Sequence, residues 1–386
     1  MLFVILTIAL LVPYCILLLY YRKSWMDIKE YVALPLPGKT ILPYVSVIIA
    51  ARNEAGNIGQ CIESLLAQTY PVNRFEIIII NDYSTDNTVE IIRGYQRENI
   101  RVINLEDYTK DQVLNSYKKK SIETALRFAQ GELIMTTDAD CLVPTKWLET
   151  VASFYQEKKA VFIASPVVFS TGKNNQAGNQ SLNIFQSLDF MTLQGITGAS
   201  VSKQFHSMCN GANLAYTKKV FYEVNGFEGV DEIASGDDML LMHKIHLQHP
   251  GKVWFLKSKD AIVETRPEST LAKFLQQRIR WASKADKYTD KKIIVVLLLV
   301  YLLNAWILIL GISSFFVVKV FYLFVSSLIL KTLVELFFLY PVAAFFKKKS
   351  LLWWFVPFEP FHILYTLIAG WLGKFGRYKW KGRRVT

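Results

Sequence analysis

Two aspartates separated by a single residue follow an apolar run in the segment "ELIMTTDADC", residues 132–141. The carboxylates of Asp138 and Asp140 repel each other at this spacing, and the repulsion is costly unless a cation lies between or beside them. Carboxylate oxygens suit Mg²⁺ or Mn²⁺, and Mg²⁺ in proteins is commonly held by one or two carboxylates together with substrate phosphates. The pair therefore predicts a site for a divalent cation, with Asp138 and Asp140 as its ligands.

The elements that position this pair are alternating strands and helices. Apolar runs at 45–51 and 75–82 are typical of strands buried on both faces, and residues 57–68 between them have helical spacing. The alternation continues with a helix at 88–98, a strand at 101–105, a helix at 121–129 and a strand at 132–138. It predicts an α/β fold with a mostly parallel sheet and helices on both faces, over about residues 40–285.

Polar loops follow three of the predicted strands, at residues 51–57, 81–88 and 138–141. Ligands of parallel sheets bind beyond the carboxyl ends of the strands, so we expect these loops to meet at one edge. Ordinary loop polarity or helix N-caps, such as Asn57 or Asp86, would account for any one loop alone. Three such loops after neighbouring strands favour a binding site.

Four long apolar segments lie outside this domain. Residues 2–20 and 293–311 carry no charge, residues 313–346 carry three charges and residues 351–373 carry one. A run of about 20 apolar residues is long enough to cross a bilayer as a helix, and buried helices of soluble proteins seldom run this long without a charge. The segments predict membrane helices, with a buried core helix as the alternative.

The charges beside the first segment indicate its orientation. A cleaved signal peptide has basic residues before its apolar run, but here Arg22 and Lys23 follow it. Because basic residues stay on the cytosolic side, we expect an uncleaved anchor at 1–23 with its N-terminus outside, followed by a cytosolic domain at 24–285. This arrangement predicts an integral protein of the cell (inner) membrane.

Residues 286–386 form the predicted C-terminal membrane region. Its expected elements are helices near 293–311 and 316–340 and a broken or interfacial segment at 351–373. The last segment is expected to be split at Pro357 and Pro360, because proline interrupts helical hydrogen bonding. The basic tail that follows would then return to the cytosolic face, as the positive-inside rule prefers.

The charge of the chain belongs mostly to its membrane region. The formal net charge is +12, and residues 286–386 alone contribute +10. Basic residues beside membrane helices suit anionic lipid headgroups, whereas a nucleic-acid binder would carry a basic stripe on its folded domain, so no nucleic-acid partner is expected. The four cysteines form no C-x-x-C pair, so neither a disulfide framework nor a zinc site is predicted.

Taken together, the segments of the α/β domain resemble the family 2 glycosyltransferases, which have the GT-A nucleotide-sugar-binding fold. The resemblance covers about residues 43–285, and its motifs occur in the family's order and spacing. They are "VSVIIAARNEAGNI" (45–58), "EIIIINDYSTDNT" (76–88), "KKKSIETAL" (118–126) before "GELIMTTDADC" (131–141), "CNGANLAYTKKVFYEVNGFEG" (209–229), "SGDDMLL" (235–241) and "QQRIRW" (276–281).

The resemblance implies roles for residues of the first two loops, which bind the donor. Ala51 and Glu54 match the first nucleotide-binding loop of the family. Asp82 matches the acid that reads the base of the nucleotide. Asn81 stands where many members of the family have a further aspartate.

The resemblance also assigns the aspartate pair of the opening segment. Asp138 and Asp140 match the family's D-x-D motif, which faces the ribose and the metal-bound diphosphate, and Asp140 is the more direct metal ligand. Lys118 occupies the family's donor-binding lysine position, although Tyr117 replaces the usual glycine before it. A solvated run of lysines at 118–120 is the alternative interpretation.

The segment "SGDDMLL" supplies the implied catalytic base. The second acid of this motif is the family's general base, hence Asp238. A sugar hydroxyl is a poor nucleophile, so a carboxylate must take its proton as it attacks the anomeric carbon. Asp237 is placed on the acceptor side, where it either orients Asp238 or is structural.

The segment "QQRIRW" matches the family's Q-x-x-R-W motif through Gln277, Arg280 and Trp281, on a helix expected at 270–283. Gln277 and Trp281 are four residues apart and share a helix face. The resemblance places Gln277 and Arg280 on the donor side, where Arg280 can pair with phosphate oxygens. Trp281 offers a flat surface to an acceptor, with an interfacial membrane anchor as the alternative.

Three functions are compatible with these motifs. The first is a metal-dependent inverting transferase that moves a sugar from a nucleotide-sugar, with UDP favoured, to a lipid or lipid-linked acceptor. The second is a processive polysaccharide synthase, because Q-x-x-R-W also occurs in enzymes that make cellulose and hyaluronan. The third is a degenerate transferase that only binds nucleotide-sugar or scaffolds a complex. This hypothesis predicts loss of the catalytic acids, but Asp82, Asp138, Asp140 and Asp238 are all present.

Overall fold

The computed structural model describes residues 1–33, 42–110, 114–170, 179–231, 233, 236–284, 288, 290–376, 378–380 and 383–385. Within these ranges the chain forms two compact units. Lys29–Ser170 and Ser207–Arg266 form one, which we call the sheet unit. Met1–Ile28, Thr171–His206 and Pro267–Thr386 form the other, which we call the helical unit.

The α-helices and strands of the described residues follow one another along the chain. They are α1 (Leu2–Asp27), β1 (Val45–Ala51), α2 (Ile58–Leu66), β2 (Phe75–Asn81), α3 (Thr88–Arg93), β3 (Ile100–Asn104), α4 (Tyr117–Phe128), β4 (Leu133–Asp138), α5 (Trp147–Lys158), β5 (Phe162–Ala164), β6 (Val167–Phe169), α6 (Gln180–Ser202), β7 (Leu214–Thr217), α7 (Lys218–Glu223), α8 (Asp237–Gln248), β8 (Val253–Phe255), β9 (Val263–Thr265), α9 (Leu271–Ala282), α10 (Lys291–Ser313), α11 (Val318–Phe345), α12 (Phe355–Phe375), β10 (Tyr378–Trp380) and β11 (Arg383–Val385).

The core of the sheet unit is a seven-stranded sheet with the order β3-β2-β1-β4-β7-β5-β8. Strands β1 to β4 are mutually parallel, and β7 runs antiparallel to both of its neighbours. The central strand β2 is buried at every position, and β1 at all but one, as expected for strands covered on both faces. The predicted α/β fold with a mostly parallel sheet is confirmed.

The register of the central strands aligns the ends of the predicted binding loops. Ala51 at the end of β1 pairs with Asn81 at the end of β2, and Asn81 pairs with Asn104 at the end of β3. On the other side of β1, Ala50 pairs with Asp138, the last residue of β4. Three polar loops therefore leave the sheet at the same edge.

The helical unit includes two segments that the predicted domain boundaries assign elsewhere. Within this unit α1 packs against α6, α10 and α11, and α9 packs along α12. The expected domain at 24–285 therefore includes α6 and α9, which belong to the same compact unit as the apolar helices. The predicted boundaries miss this grouping because α6 packs against α1 and α11, which are far from it in sequence.

Four helical segments of the described chain are long and apolar enough to cross a membrane: Leu2–Asp27, Lys291–Ser313, Val318–Phe345 and Lys349–Phe375. The last of them has the lowest hydropathy, 1.3 compared with 3.0 for Lys291–Ser313. The four apolar segments of the sequence are thus helical.

The expected break in the last segment was wrong. Lys349–Trp354 form a short 3-10 helix, and α12 then runs without interruption to Phe375, past both prolines. Pro357 lies in the first turn, where no intrahelical partner exists for the backbone N–H. Pro360 removes only the bond to a carbonyl of that same turn, so the rest of the helix keeps its hydrogen bonds.

Both ends of α12 nevertheless lie near the same end of the α10–α11 pair, the end at which α10 begins and α11 finishes. α10 and α11 are consecutive and pack together, so the start of α10 and the end of α11 face the same way. The 3-10 helix that leads into α12 directly follows α11 and packs against it. At the other end, a Cβ on Gly373 would lie 2.7 Å from Cβ of Ala282, shortly before α10 begins.

We therefore predict that the tail returns to the membrane face from which α10 departs. A reporter fused after Thr386 and a reporter inserted between α9 and α10 should report the same compartment, because both ends of α12 lie at that face. The measurement uses paired reporters that are active only inside or only outside the cytosol. A C-terminal reporter that is active on the opposite side from the α9–α10 insertion would show that α12 crosses the membrane.

A cluster of ionisable side chains is buried among the apolar helices. Lys331 donates to Glu335 Oε1 at 2.6 Å and also to Glu359, and the Tyr14 hydroxyl donates to Glu335 Oε1. All four residues are less than one tenth exposed. The second carboxylate oxygen of Glu335 has no hydrogen-bond partner among the described residues. One ammonium thus contacts two carboxyl groups inside an apolar bundle.

We predict opposite effects for the two kinds of change in this cluster. Lys331→Met should destabilise the protein strongly, by about 3–5 kcal/mol, because it leaves two buried carboxylates without their cation. Glu335→Gln should be close to neutral, because the amide oxygen can still accept from Lys331 and Tyr14, and Glu359 remains as a partner of Lys331. The measurement is the thermal unfolding midpoint of the purified protein in detergent. A larger loss for Glu335→Gln than for Lys331→Met would contradict this account.

Candidate active site

The loops after β1 and β2 are joined by hydrogen bonds. The backbone N–H of Asp82 donates to the carbonyl of Ala51 at 2.8 Å. Arg52 reaches across and donates through Nη1 to the carbonyls of Asp82 and Tyr83, at 2.9 and 3.1 Å. Asp82 itself is 3% exposed. The two predicted donor-binding loops therefore form one fixed surface, with Ala51 and Asp82 side by side.

Other polar residues of these loops are structural. Asp86 accepts hydrogen bonds from the backbone of Ala55 and from the N–H and hydroxyl of Thr88. Burial alone would raise the pKa of Asp86, but these hydrogen bonds outweigh it and hold the pKa below its usual value. Glu54 accepts a hydrogen bond from Asn57 at 2.7 Å, which fixes the predicted donor-binding carboxylate. Asn57 and Asp86 thus support the loops.

Asn81 has a structural role at the position where many family members have an aspartate. Its side-chain amide donates to Asn104 Oδ1 at 3.0 Å, and its Oδ1 accepts from the backbone N–H of Ser84 at 3.0 Å. It therefore joins the ends of β2 and β3 and closes the turn that follows Asp82.

Lys118 connects the end of β4 to the start of α8. Its Nζ lies 2.6 Å from Asp138 Oδ1 and 3.7 Å from Asp237 Oδ2. Burial disfavours the charged ammonium, but the nearby carboxylates of Asp138, Asp237 and Asp238 outweigh burial and raise the pKa of Lys118. The neighbouring Lys119 is buried and donates to backbone carbonyls, so these lysines are not a solvated run.

The second acid of the pair at α8 is held by the backbone. Asp238 Oδ2 accepts from the N–H of Gly211 at 2.9 Å, and Oδ1 accepts from the N–H of Met239 at 2.8 Å. Gly236, with φ of 81°, adopts the left-handed conformation that favours glycine and so allows α8 to begin at these acids. The carboxylate of Asp238 therefore has a fixed orientation at the first turn of the helix.

The loop before β7 contains two residues that sequence reasoning missed. A Cβ on Gly211 would lie 3.2 Å from Lys118 Nζ and 3.4 Å from Asp237 Oδ2, so glycine permits the close approach. Asn213 is 1% exposed, and its amide donates to the carbonyls of Pro166 and Ala261, both at 2.8 Å. The "NGAN" run within the quoted motif was the signal that could have identified both residues.

The D-x-D pair has a donor set that suits a hard divalent cation. One ligand atom from each of Asp138, Asp140 and Cys141 lies within 4.8 Å of the others. Burial first, and the two aspartates next, raise the pKa of the Cys141 thiol, which keeps it protonated. Asp138 pairs with the Lys118 ammonium, and the resemblance implies that Asp140 is the more direct ligand of a cation. The residues therefore fit Mg²⁺ or Mn²⁺.

The Q-x-x-R-W residues lie in the helical unit, on α9. Gln277 donates to Glu268 Oε1 at 3.2 Å. Trp281 is half-buried, and the guanidinium of Arg278 lies 4.2 Å from its ring centroid. Arg280 is also half-buried near the end of the helix. One face of the Trp281 ring is therefore covered within the protein, and Arg278 is a further residue that the motif did not single out.

Comparison with known sequences identifies the family to which the strand-end loops and Lys118 belong. The model of the family "Glycosyl transferase family 2" matches residues 46–224, which include the three strand-end loops and Lys118. The chain carries a family 2 glycosyltransferase domain.

Relatives of this glycosyltransferase domain are found in archaea and bacteria. Glycosyltransferase AglE of Haloferax volcanii is 28% identical over 51% of this chain and 60% of its own length. The beta-monoglucosyldiacylglycerol synthase of Nostoc is 27% identical over 64% of this chain and 50% of its own length. The chain thus spans about half the length of these curated relatives.

A solved structure supports the GT-A fold of the glycosyltransferase. The mannosyltransferase PcManGT from Pyrobaculum calidifontis, in complex with GDP-Man and Mn²⁺, has a TM-score of 0.53. The two sequences are 18% identical, and the alignment covers 95% of this chain and 97% of the other. At this identity the similarity concerns the fold.

We predict different effects on metal binding for Asp138 and Asp140. Asp140→Asn should weaken Mn²⁺ binding by more than about 10-fold, the scale reached by losing even an outer-shell partner, because Asp140 is the more direct ligand. Asp138→Asn should weaken it less, since the Lys118 ammonium lies 2.6 Å from one of its oxygens. The measurement is titration of purified protein with Mn²⁺. A greater loss for Asp138→Asn would reverse the assignment.

Proposed function

We propose that this protein is a membrane-bound, metal-dependent, inverting glycosyltransferase. It moves a hexosyl or N-acetylhexosaminyl group from a nucleotide-sugar donor to a lipid or lipid-linked acceptor. The observation that carries the proposal is the cluster of Lys118, Asp138, Asp237 and Asp238 at the edge of the sheet of a family 2 domain. Such a cluster supplies carboxylates both for a metal-bound diphosphate and for an attacking hydroxyl.

On the donor side, the joined loops that carry Ala51, Glu54 and Asp82 bind the nucleotide, and Asp82 reads its base. We propose UDP as this nucleotide, although the similar mannosyltransferase structure holds GDP-Man. Mg²⁺ or Mn²⁺ at Asp138 and Asp140 supplies positive charge that stabilises the departing diphosphate. Asp138 is the last residue of β4, and its ion pair with the Lys118 ammonium fixes the direction of its carboxylate.

On the acceptor side, Asp238 is the proposed general base. The acceptor hydroxyl oxygen bonds to the anomeric carbon as the bond from that carbon to the diphosphate oxygen breaks, and Asp238 takes the hydroxyl proton. The N–H groups of Gly211 and Met239 stabilise the ionised carboxylate and fix its direction. Asp237 pairs with Lys118, which supports a role in orienting the cluster.

The residues of α9 complete the proposed assignments. Arg280 contributes charge to the phosphates, Gln277 supports the donor, and Trp281 offers its half-buried ring to the acceptor. A lipid acceptor is supported by the four apolar helical segments and by the name of the Nostoc relative, which specifies a glucosylated diacylglycerol. The proposed location is the cell (inner) membrane, with the sheet unit in the cytosol.

The function is tested by incubating membranes that contain the protein with a panel of labelled nucleotide sugars and extracted lipids. We expect a lipid product that carries one added sugar, formed only when Mg²⁺ or Mn²⁺ is present. A ladder of products would instead identify a processive polysaccharide synthase. Nucleotide binding without any transfer would identify a degenerate transferase.

The same assay tests the division of labour between the acids. Asp238→Asn should lower transfer by about 10²–10⁴-fold, because an amide cannot take the acceptor proton, while Mn²⁺ and nucleotide binding stay close to wild type. Asp237→Asn is the matched variant at the adjacent position and should lose less activity. Full transfer by Asp238→Asn together with loss in Asp237→Asn would mean that the base is the other acid.

A further inference from the structure

Arg278 is a buried cation on the same helix as the Q-x-x-R-W residues. Its Nη1 donates to Gln277 Oε1 at 2.7 Å. Its guanidinium lies 4.2 Å from the ring centroid of Trp281 and 4.7 Å from that of Phe274. Two of the three motif side chains on α9 are therefore in direct contact with a single residue that the motif leaves unspecified.

Arg278 is fixed in turn by an aspartate of another helix. Asp189 on α6 accepts from Arg278 Nε at 2.9 Å and lies 2.6 Å from Nη2, and each side chain is 4% exposed. The hydroxyl of Tyr365 on α12 donates to the other oxygen of the same carboxylate. The charges balance, so this pair stabilises a defined geometry, and it ties α6, α9 and α12 together at one point.

The position of the guanidinium is determined by its planar shape. An arginine can donate to a carboxylate through two nitrogens while its flat face stacks on an aromatic ring, which a lysine ammonium cannot do. The charge of Arg278 is satisfied by Asp189, and its face covers Trp281. The contacts with Gln277 and Trp281 therefore restrict the side-chain directions of both motif residues.

We propose that Arg278, held by Asp189 and Tyr365, is a positioning residue that sets the orientation of Gln277 and Trp281 for sugar transfer. This inference rests on the proposed function, which gives those two side chains their roles toward donor and acceptor. Arg278 acts through its neighbours and takes no part in the bond changes.

The test compares Arg278→Lys with a matched control, Lys331→Met. Both changes disrupt a buried ion pair of the helical unit, but the control lies outside the proposed binding residues. In Arg278→Lys the ratio of transfer to donor hydrolysis should fall by about 10- to 100-fold, the cost of a misplaced binding group. In the control this ratio, measured on folded protein, should equal that of wild type even though the unfolding midpoint falls.

A second readout does not depend on activity. Oxidative footprinting followed by peptide mass spectrometry measures the accessibility of Trp281, which should rise in Arg278→Lys because the guanidinium no longer covers the ring. It should stay unchanged in Lys331→Met. If the wild-type protein transferred no sugar, the proposed function would fail, but the footprint would still decide whether Arg278 positions Trp281.

Tyr365→Phe keeps the inference testable if Arg278→Lys does not fold. It removes only the hydroxyl that holds Asp189, so it should fold and shift both readouts in the same direction by a smaller amount. The proposal is overturned if the transfer-to-hydrolysis ratio and the Trp281 footprint stay at wild-type values in folded variants. It is also overturned if Lys331→Met changes them equally, since both outcomes would reduce Arg278 to a stabilising residue.

Discussion

The ammonium of Lys118 lies between carboxylates from two distant parts of the chain, and the sheet-edge site depends on that pairing. Asp138 ends β4 and Asp237 begins α8, so without a cation between them the two elements would repel each other. Lys118 lies within ion-pair distance of both acids, and Gly211 provides the space for this contact. The pairing thus joins the end of β4 to the start of α8 beside the proposed metal ligand Asp140.

The strands were predictable because parallel central strands have a simple signature. β1 and β2 are continuous apolar runs, and their boundaries in the structure agree with the sequence to within one residue. The polar loops could be placed at one edge because parallel strands must end together. The roles of the loop residues could not all be predicted. Asparagine and aspartate also occur as ligand-binding residues, and only the hydrogen-bond partners of Asn81 and Asp86 reveal that these two are structural.

The helical unit was harder to predict because its contacts are long-range. Nothing local in α6 indicates that Asp189 pairs with a residue of α9, or that α6 packs with apolar helices. The prolines of α12 do not break the helix, because of where it begins. Proline interrupts a helix only beyond its first turn, and the start of α12 at Phe355 places Pro357 within that turn, where proline is tolerated.

The buried cluster around Lys331 also has an order of assembly that follows from the order of its residues in the chain. Charged residues near the centre of a helix oppose insertion by about 2.5–3.5 kcal/mol each on biological scales, and α11 carries both Lys331 and Glu335. α1, which carries Tyr14, leaves the ribosome long before α11, whereas Glu359 of α12 follows later. Lys331 and Glu335 lie one turn apart on α11, so their ion pair forms as soon as that helix folds. The contact of Lys331 with Glu359 forms only after α12 has been made, so the cluster is completed last by the helix that also carries Tyr365.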